Sequence, residues 1–465
     1  MMNVPRFLSA KPDIRLLPLP WNTPLAQWPL DRLVALPRGI SRHVVRFIQV
    51  GDDVLAAKEV LEAPAMHEYR TLQELTRLDT PAVEPVAVIT DRLDADGEPL
   101  DPILLTKHLR FSLPYRSLFS TGVRPDTVSR LLDAMVVLIA RLHLIGFLWG
   151  DVSLSNILFR RDAGEFAAYL VDAETAEMHA VLTDGQRAHD LDIAITNLFG
   201  EFCDLQAGRL LDESLDPMAL VQQIESRYHA LWGELTGVES FAGDELFRVE
   251  SRVRRLNALG FDVAELDIHT ARDGSSITIQ PKVVDAGHHS RRLLRLTGLD
   301  TEEHQAQRLL NDLDTYRARN GLGHVEESVV AHQWLTASFQ PVVTAVPPEL
   351  TGKREQAQIY HEVLDYRWYA SQRERREVPL VEAVQGYITD VLAVLPDEVI
   401  SDDFVTPESR QLLNPYDPSQ GFADDDEEEP FDPWEASASD PDFETLPEVF
   451  DIDALRKLKG APHQP

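Results

Sequence analysis

With 465 residues, 44% hydrophobic content and 8% aromatics, the chain is too long for one ordinary core, and two domains with a tail are expected. Its formal charge of −33 argues against nucleic acid or an anionic membrane as the main partner, because the field of the whole protein repels both. The single cysteine, Cys203, excludes an internal disulfide, fits a reducing cytoplasm and reads as a small buried apolar residue.

The amino terminus, MMNVPRFLSAKPD, has no apolar run of signal-peptide length, and a cytoplasmic protein is expected. Residues 1–32 are proline-rich and poorly periodic and read as a lead-in segment. From Leu33 to Leu61 come three β-type runs, separated at Pro37-Arg38-Gly39 and Gly51-Asp52-Asp53. The third is VLAAKEV, with Lys58 in it. HEYRTLQELTRL, from His67, then carries leucines at helical spacing. A turn at residues 80–85 hands over to the strand VAVIT. After the turn DADGEP, ILLTKHLRFSLPYRSLF sits where a chain would cross between two lobes.

Thr127 to Phe147 reads as a long helix with Leu131, Leu132, Met135, Leu138, Ile139 and Leu142 on one face. This stretch and its extension to Trp149 are the most apolar of the chain, yet they hold Asp133, Arg141 and His143. Each Asp or Arg near a bilayer centre costs on the order of 2.5–3.5 kcal/mol, so a core helix is expected and no membrane span.

That helix ends in Gly-Phe-Leu-Trp-Gly and delivers Asp151, four residues, then Asn156. The run Ile157-Leu158-Phe159, the polar turn RRDAGE and Tyr169-Leu170-Val171 follow, ending at Asp172. Phosphoryl transfer needs such a set: a carboxylate to take or orient the acceptor hydroxyl, and a carboxylate plus an amide oxygen to hold Mg²⁺ against the phosphates. Asp151 is the expected base, and Asn156 and Asp172 the expected metal ligands. Taken singly, each is equally a turn or cap residue; the ordered set is the specific signal.

On these residues the chain resembles the kinase-like phosphotransferases, and its abbreviated form is most similar to the bacterial lipopolysaccharide-kinase and aminoglycoside-phosphotransferase branch. The resemblance covers roughly residues 33–235. It implies that Lys58, in a strand similar to the V-A-I-K strand of kinases, holds the α/β-phosphates of ATP, and that Glu68, with Glu74 in reserve, pairs with it. A lone strand lysine is otherwise an outward, solvated residue. It also implies a phosphate-covering loop, for which this chain offers only PRGISRH. The backbone N–H groups of Gly39, Ile40 and Ser41 would form the cradle there, or an ordinary hairpin turn occupies the place. Two departures stand out. Trp149 replaces the family's histidine two residues before the aspartate, which removes a hydrogen-bonding orienter, and Asp172-Ala173-Glu174 replaces D-F-G. The family also places an aspartate at the head of the next large helix to brace the catalytic loop. Asp190 or Asp192 fits that role, with helix capping as the competing reading.

Beyond residue 235, RVESRVRRLNALGF reads as an amphipathic helix, DVAELDIHT and SSITIQPKVVD as a hairpin through residues 271–274, and four further segments as helices. Arg252, Arg254, Arg255, Lys282, Arg291, Arg292 and Arg295 either collect to bind an anionic substrate or the acidic tail, or line solvated helix faces. His288, His289 and His304 lack metal-ligand spacing. From residue 401 the chain turns acidic: 18 acidic side chains between 402 and 453 face only Arg410. Such a segment cannot bury enough to order itself, and its scattered aromatics suit docking on a protein partner or are inert.

The expected fold class is therefore α+β. It comprises a bilobal protein-kinase-like fold with a β-rich N-lobe (33–110) and helical C-lobe (111–235), a smaller α+β domain (236–400) and a disordered acidic tail (401–465). The resemblance implies an ATP- and Mg²⁺-dependent phosphotransferase acting on a hydroxyl of a small-molecule or carbohydrate-like acceptor. The alternatives are a catalytically weak or inactive nucleotide-binding pseudokinase and a plain interaction scaffold.

Overall fold

Alternating apolar residues in the first third build a sheet, because successive side chains point to opposite faces. The computed structural model describes residues 5–34, 36, 43–119, 124–242, 246–270 and 276–395. Its first sheet contains β1 (Arg6–Leu8), β2 (Leu33–Val34), β3 (Val44–Val50) and β4 (Asp53–Glu59). After the helix α1 (Glu62–Arg77), β5 (Pro85–Thr90) and β6 (Ile103–Lys107) complete it. The order is β1-β5-β6-β4-β3-β2, with antiparallel neighbours throughout. Leu55 and Ala57 of β4 face one side with Ile48, Ile89, Ile103 and Leu105. Residues 56 and 58 alternate to the opposite side.

Residues 5–32 correct the lead-in reading. β1 is an edge strand of the sheet, and Leu16, Trp21, Leu25 and Trp28 are buried against its Leu55 face. The fully buried Arg92 guanidinium ties this segment down, donating to Trp21 O (3.0 Å), Thr23 O (2.7 Å), Glu59 (2.7 Å) and Asp101 O. No local periodicity announces such a segment, since its order comes from a sheet face and an arginine far along the chain.

The chain crosses through β7 (Leu113–Pro114) and α2 (Tyr115–Phe119) into α3 (Pro125–Leu144). Then come β8 (Phe147–Leu148), the hairpin β9 (Ile157–Asp162) and β10 (Glu165–Leu170), β11 (Glu177–Met178), α4 (Asp184–Ala207) and α5 (Pro217–Thr236). The apolar stripe of α3 packs with α4, α5 and the hairpin in a core that includes Trp149, Phe159 and Phe202.

An α+β region follows. β12 (Glu239–Ala242), α6 (Leu246–Ala258), β13 (Phe261–Thr270) and β14 (Ser276–Ala286) precede α7 (His288–Thr297), α8 (Glu303–Arg319) and α9 (Glu327–Trp334). α10 (Gln340–Thr344), α11 (Gln356–Glu374) and α12 (Leu380–Asp390) complete it. Its three strands run β12-β14-β13. α9 and α10 form, with residues 335–339, one helical stretch absent from the sequence reading. The helices enclose their own core around Trp334, Phe339 and Tyr360, while Leu256 and Phe261 join the core of α3 and α5. All described residues lie in one compact unit.

Candidate active site

A sharp turn after α3 starts the site. Gly146 has φ +82°, and a Cβ there would stand 2.0 Å from the carbonyl oxygen of His179; glycine alone fits. β8 then leads to Trp149, Gly150 and Asp151. The buried Asp190 of α4 accepts from the backbone N–H groups of Trp149 (3.0 Å) and Gly150 (2.7 Å), and its Oδ2 lies 3.0 Å from His143 Nε2. His143 Nδ1 is 2.6 Å from the Tyr228 hydroxyl. Asp190 sits well inside a helix whose N-cap is Thr183, so it braces the loop and does not cap the helix.

α4 reads the rest of the loop with the same face, two and three turns on. Asn197 Nδ2 donates to Asp151 Oδ1 and to Val152 O, both at 3.2 Å. Glu201 accepts from Leu154 N (2.5 Å), Ser155 N (3.0 Å) and Ser155 Oγ (2.6 Å). Burial pushes the Glu201 carboxyl up, against the pull of these donors. The sequence reading missed both residues, although their spacing from Asp190 at helical intervals is a visible signal.

Within the loop, Asn156 Nδ2 donates to Asp151 Oδ2 and Asp151 O, each at 3.0 Å, which leaves Oδ1 as the acceptor end of that amide. Val171 N donates to Asn156 O at 3.0 Å, so the hairpin returns residue 172 beside Asn156. Trp149 is fully buried and its Nε1–H donates to Asp172 O at 2.9 Å. This corrects the expectation for the missing histidine, since the indole supplies an orienting hydrogen bond of its own.

From the other lobe, Lys58 Nζ meets Glu68 Oε2 (3.0 Å), Asp172 Oδ2 (2.8 Å) and Glu174 Oε2 (3.0 Å). Glu174 also lies 3.0 Å from His43 Nε2. Burial works to lower the Lys58 pKa, but the Glu68 and Asp172 carboxylates outweigh it and hold the ammonium charged well above its usual range. Burial and the neighbouring Asp172 push the Glu68 carboxyl up to about 7, against the attraction of Lys58. The structure thus brings Lys58, Glu68 and Asp172 together, and Asp151 to Asn156. Glu74, the reserve, points away and pairs with Arg77 on the surface. Gly39 and Ser41 lie outside the described residues. Glu174, which the sequence reading treated only as a departure from D-F-G, is a full member of the group.

Glu68, Asp172 and Glu174 each place a carboxylate oxygen within 4.8 Å of the others. Such hard oxygen donors are of the chemistry that suits Mg²⁺. Among the described residues, three of the basic side chains of the C-terminal region are engaged within the fold. Arg252 is buried on backbone carbonyls of residues 234 and 237, Arg255 pairs with Glu234, and Arg292 with Glu327. Among the described residues, no helix is long and apolar enough to cross a membrane.

Comparison with known families divides the chain in two. Residues 48–196 match the Lipopolysaccharide kinase (Kdo/WaaP) family, and residues 230–392 match a Domain of unknown function (DUF4032). No curated protein matches. A solved structure described as "WaaP in complex with acyl carrier protein" is similar over 49% of this chain and 99% of its own, at 16% identity and a TM-score of 0.30.

Proposed function

With residues 48–196 a kinase-like phosphotransferase segment of the lipopolysaccharide kinase branch, we propose that the protein transfers phosphoryl from ATP to a hydroxyl of a small-molecule or carbohydrate-like acceptor, with Mg²⁺. Lys58, steadied by Glu68, anchors the phosphates. Asn156 and Asp172 hold the cation, which neutralises phosphate charge when bound. Asp151, its two oxygens fixed by Asn156 and Asn197, orients the acceptor hydroxyl and takes its proton. Positioning and charge carry most of this chemistry. The observation that supports the reading is the meeting of Lys58 with Glu68 and Asp172 from three separate elements.

A thermal-shift titration with ATP, with and without Mg²⁺, tests it on wild type and Asp172→Asn. A Mg²⁺-dependent rise in melting temperature that the variant loses is expected, and Asp151→Asn should abolish every phosphorylated product. A shift in neither protein, with the fold intact, refutes the proposal. Glu174 favours a second reading. It stands two residues past Asp172, where kinases have glycine, and occupies Lys58. A pseudokinase would bind ATP without Mg²⁺ dependence and transfer nothing.

A further inference from the structure

The hairpin β9–β10 ends at Asp172, and its far side is held by the C-terminal region. Asp162, buried at 2% exposure, accepts from His304 N (3.0 Å) and Gln305 N (2.6 Å) in the first turn of α8, and lies 2.7 Å from His304 Nδ1. A carboxylate on the first-turn N–H groups of a helix is stabilised by both hydrogen bonding and the helix dipole. Arg160 spans Glu302 and Glu355, both at 2.8 Å. The Tyr169 hydroxyl donates to Glu302 at 2.7 Å. Two backbone contacts complete the set: Gln305 Nε2 donates to Arg161 O (2.9 Å) and Ala163 N to Gln358 Oε1 (3.1 Å).

We infer that Asp162, Arg160 and Tyr169 are positioning residues, through which α8 and α11 hold the hairpin in the register that sets Asp172 against Lys58 and Asn156. The C-terminal region is then part of the nucleotide site's scaffold rather than an attached module. The geometry favours this in three ways. The Asp162 carboxylate is buried, and its contacts and those of Arg160 are charge-assisted, so they resist local opening. They grip both strands of the hairpin. Tyr169 is only three residues from Asp172, and β10 is continuous with the segment between them. The inference deepens the proposed function and rests on it for the role of Asp172, while the clamp itself is tested independently.

The experiment uses the full chain and two near-isosteric variants, Asp162→Asn and Tyr169→Phe, with Arg308→Met as control. Among the described residues, Arg308 bonds His361 and Asp365, within the C-terminal helices. Amide exchange of the ligand-free proteins is read over residues 165–174, and ADP affinity is read by calorimetry with and without Mg²⁺. Asp162→Asn should accelerate exchange at 165–174 by about tenfold, the size of a lost charge-assisted bond. It should also weaken ADP about tenfold with Mg²⁺ present and leave the Mg²⁺-free affinity unchanged. Tyr169→Phe should do the same to a smaller degree, and it decides the matter if Asp162→Asn fails to fold. Arg308→Met should leave both readouts at wild-type values. Faster exchange confined to residues 300–310, with 165–174 unchanged, overturns the inference. Wild type that binds no ADP at all refutes the proposed function instead, and the exchange data still decide the clamp.

Discussion

Asp190 is the most exacting test of how the loop that carries Asp151 is held. Its carboxylate is 1% exposed and receives two backbone N–H groups, from Trp149 and Gly150, with His143 alongside. In Asp190→Ala all three partners lose their acceptor inside the core. A buried polar group left unpaired costs about 1–3 kcal/mol, and breaking a buried charged set typically costs about 3–5 kcal/mol; the sum is capped by water entering the space. We expect about 3–5 kcal/mol. Asp190→Asn is gentler. Its oxygen can keep Gly150, and its amide can donate to His143 once that ring changes tautomer, since Nδ1–H then finds the Tyr228 hydroxyl. Only Trp149 N–H remains unpaired, and about 2 kcal/mol is expected. Urea unfolding gives the free energies, and amide exchange over residues 147–156 gives the local effect. If Asp190→Ala lies within about 1 kcal/mol of wild type and leaves that exchange unchanged, the bracing argument fails.

Other consequences are equally direct. Arg92→Met should lower stability by more than about 3 kcal/mol, since Glu59 and three carbonyls lose a buried guanidinium; limited proteolysis should then cut first within residues 5–28. Gly146→Ala places a Cβ against His179 O at a positive φ, and at least about 2 kcal/mol of destabilisation is expected from the left-handed backbone and the clash; a cost under half of that counts against the geometry. Burial pushes Glu302 up to about 7, against the pull of Arg160. A carboxyl raised in the folded state adds stability below its ordinary 4.5 and loses it as pH rises through about 7. The stability of Glu302→Gln relative to wild type should therefore climb across that window, and a flat difference refutes the assignment. His304, raised by its bond to Asp162, contributes below about 6.5 and loses that contribution as pH rises through its elevated pKa, so His304→Gln should be most costly on the acid side.

Local pattern carries a good deal of this architecture. The spacing from Asp151 to Asn156 and the two apolar runs before Asp172 depend only on neighbours in the chain, as do the apolar stripe of α3 and the alternation around Lys58. A helix–loop–hairpin and a strand–helix pair are therefore legible as the kinase-like fold before any contact is known. Glu68 sits in the second turn of the helix after the Lys58 strand, and its choice over Glu74 comes from the resemblance. What packing alone decides involves residues far apart in sequence. Trp149 becomes an orienter only because the hairpin brings the carbonyl of Asp172 to its indole. Glu174 becomes a partner of Lys58 only when the two lobes meet. Residues 5–32 have no period to read, because their order is imposed by the sheet face beneath Trp21 and Trp28 and by Arg92 some 70 positions on. The same holds for Asp162 and α8, 142 residues apart: a polar residue at a hairpin turn looks like turn chemistry until burial removes water and leaves the distant helix N-terminus as its partner.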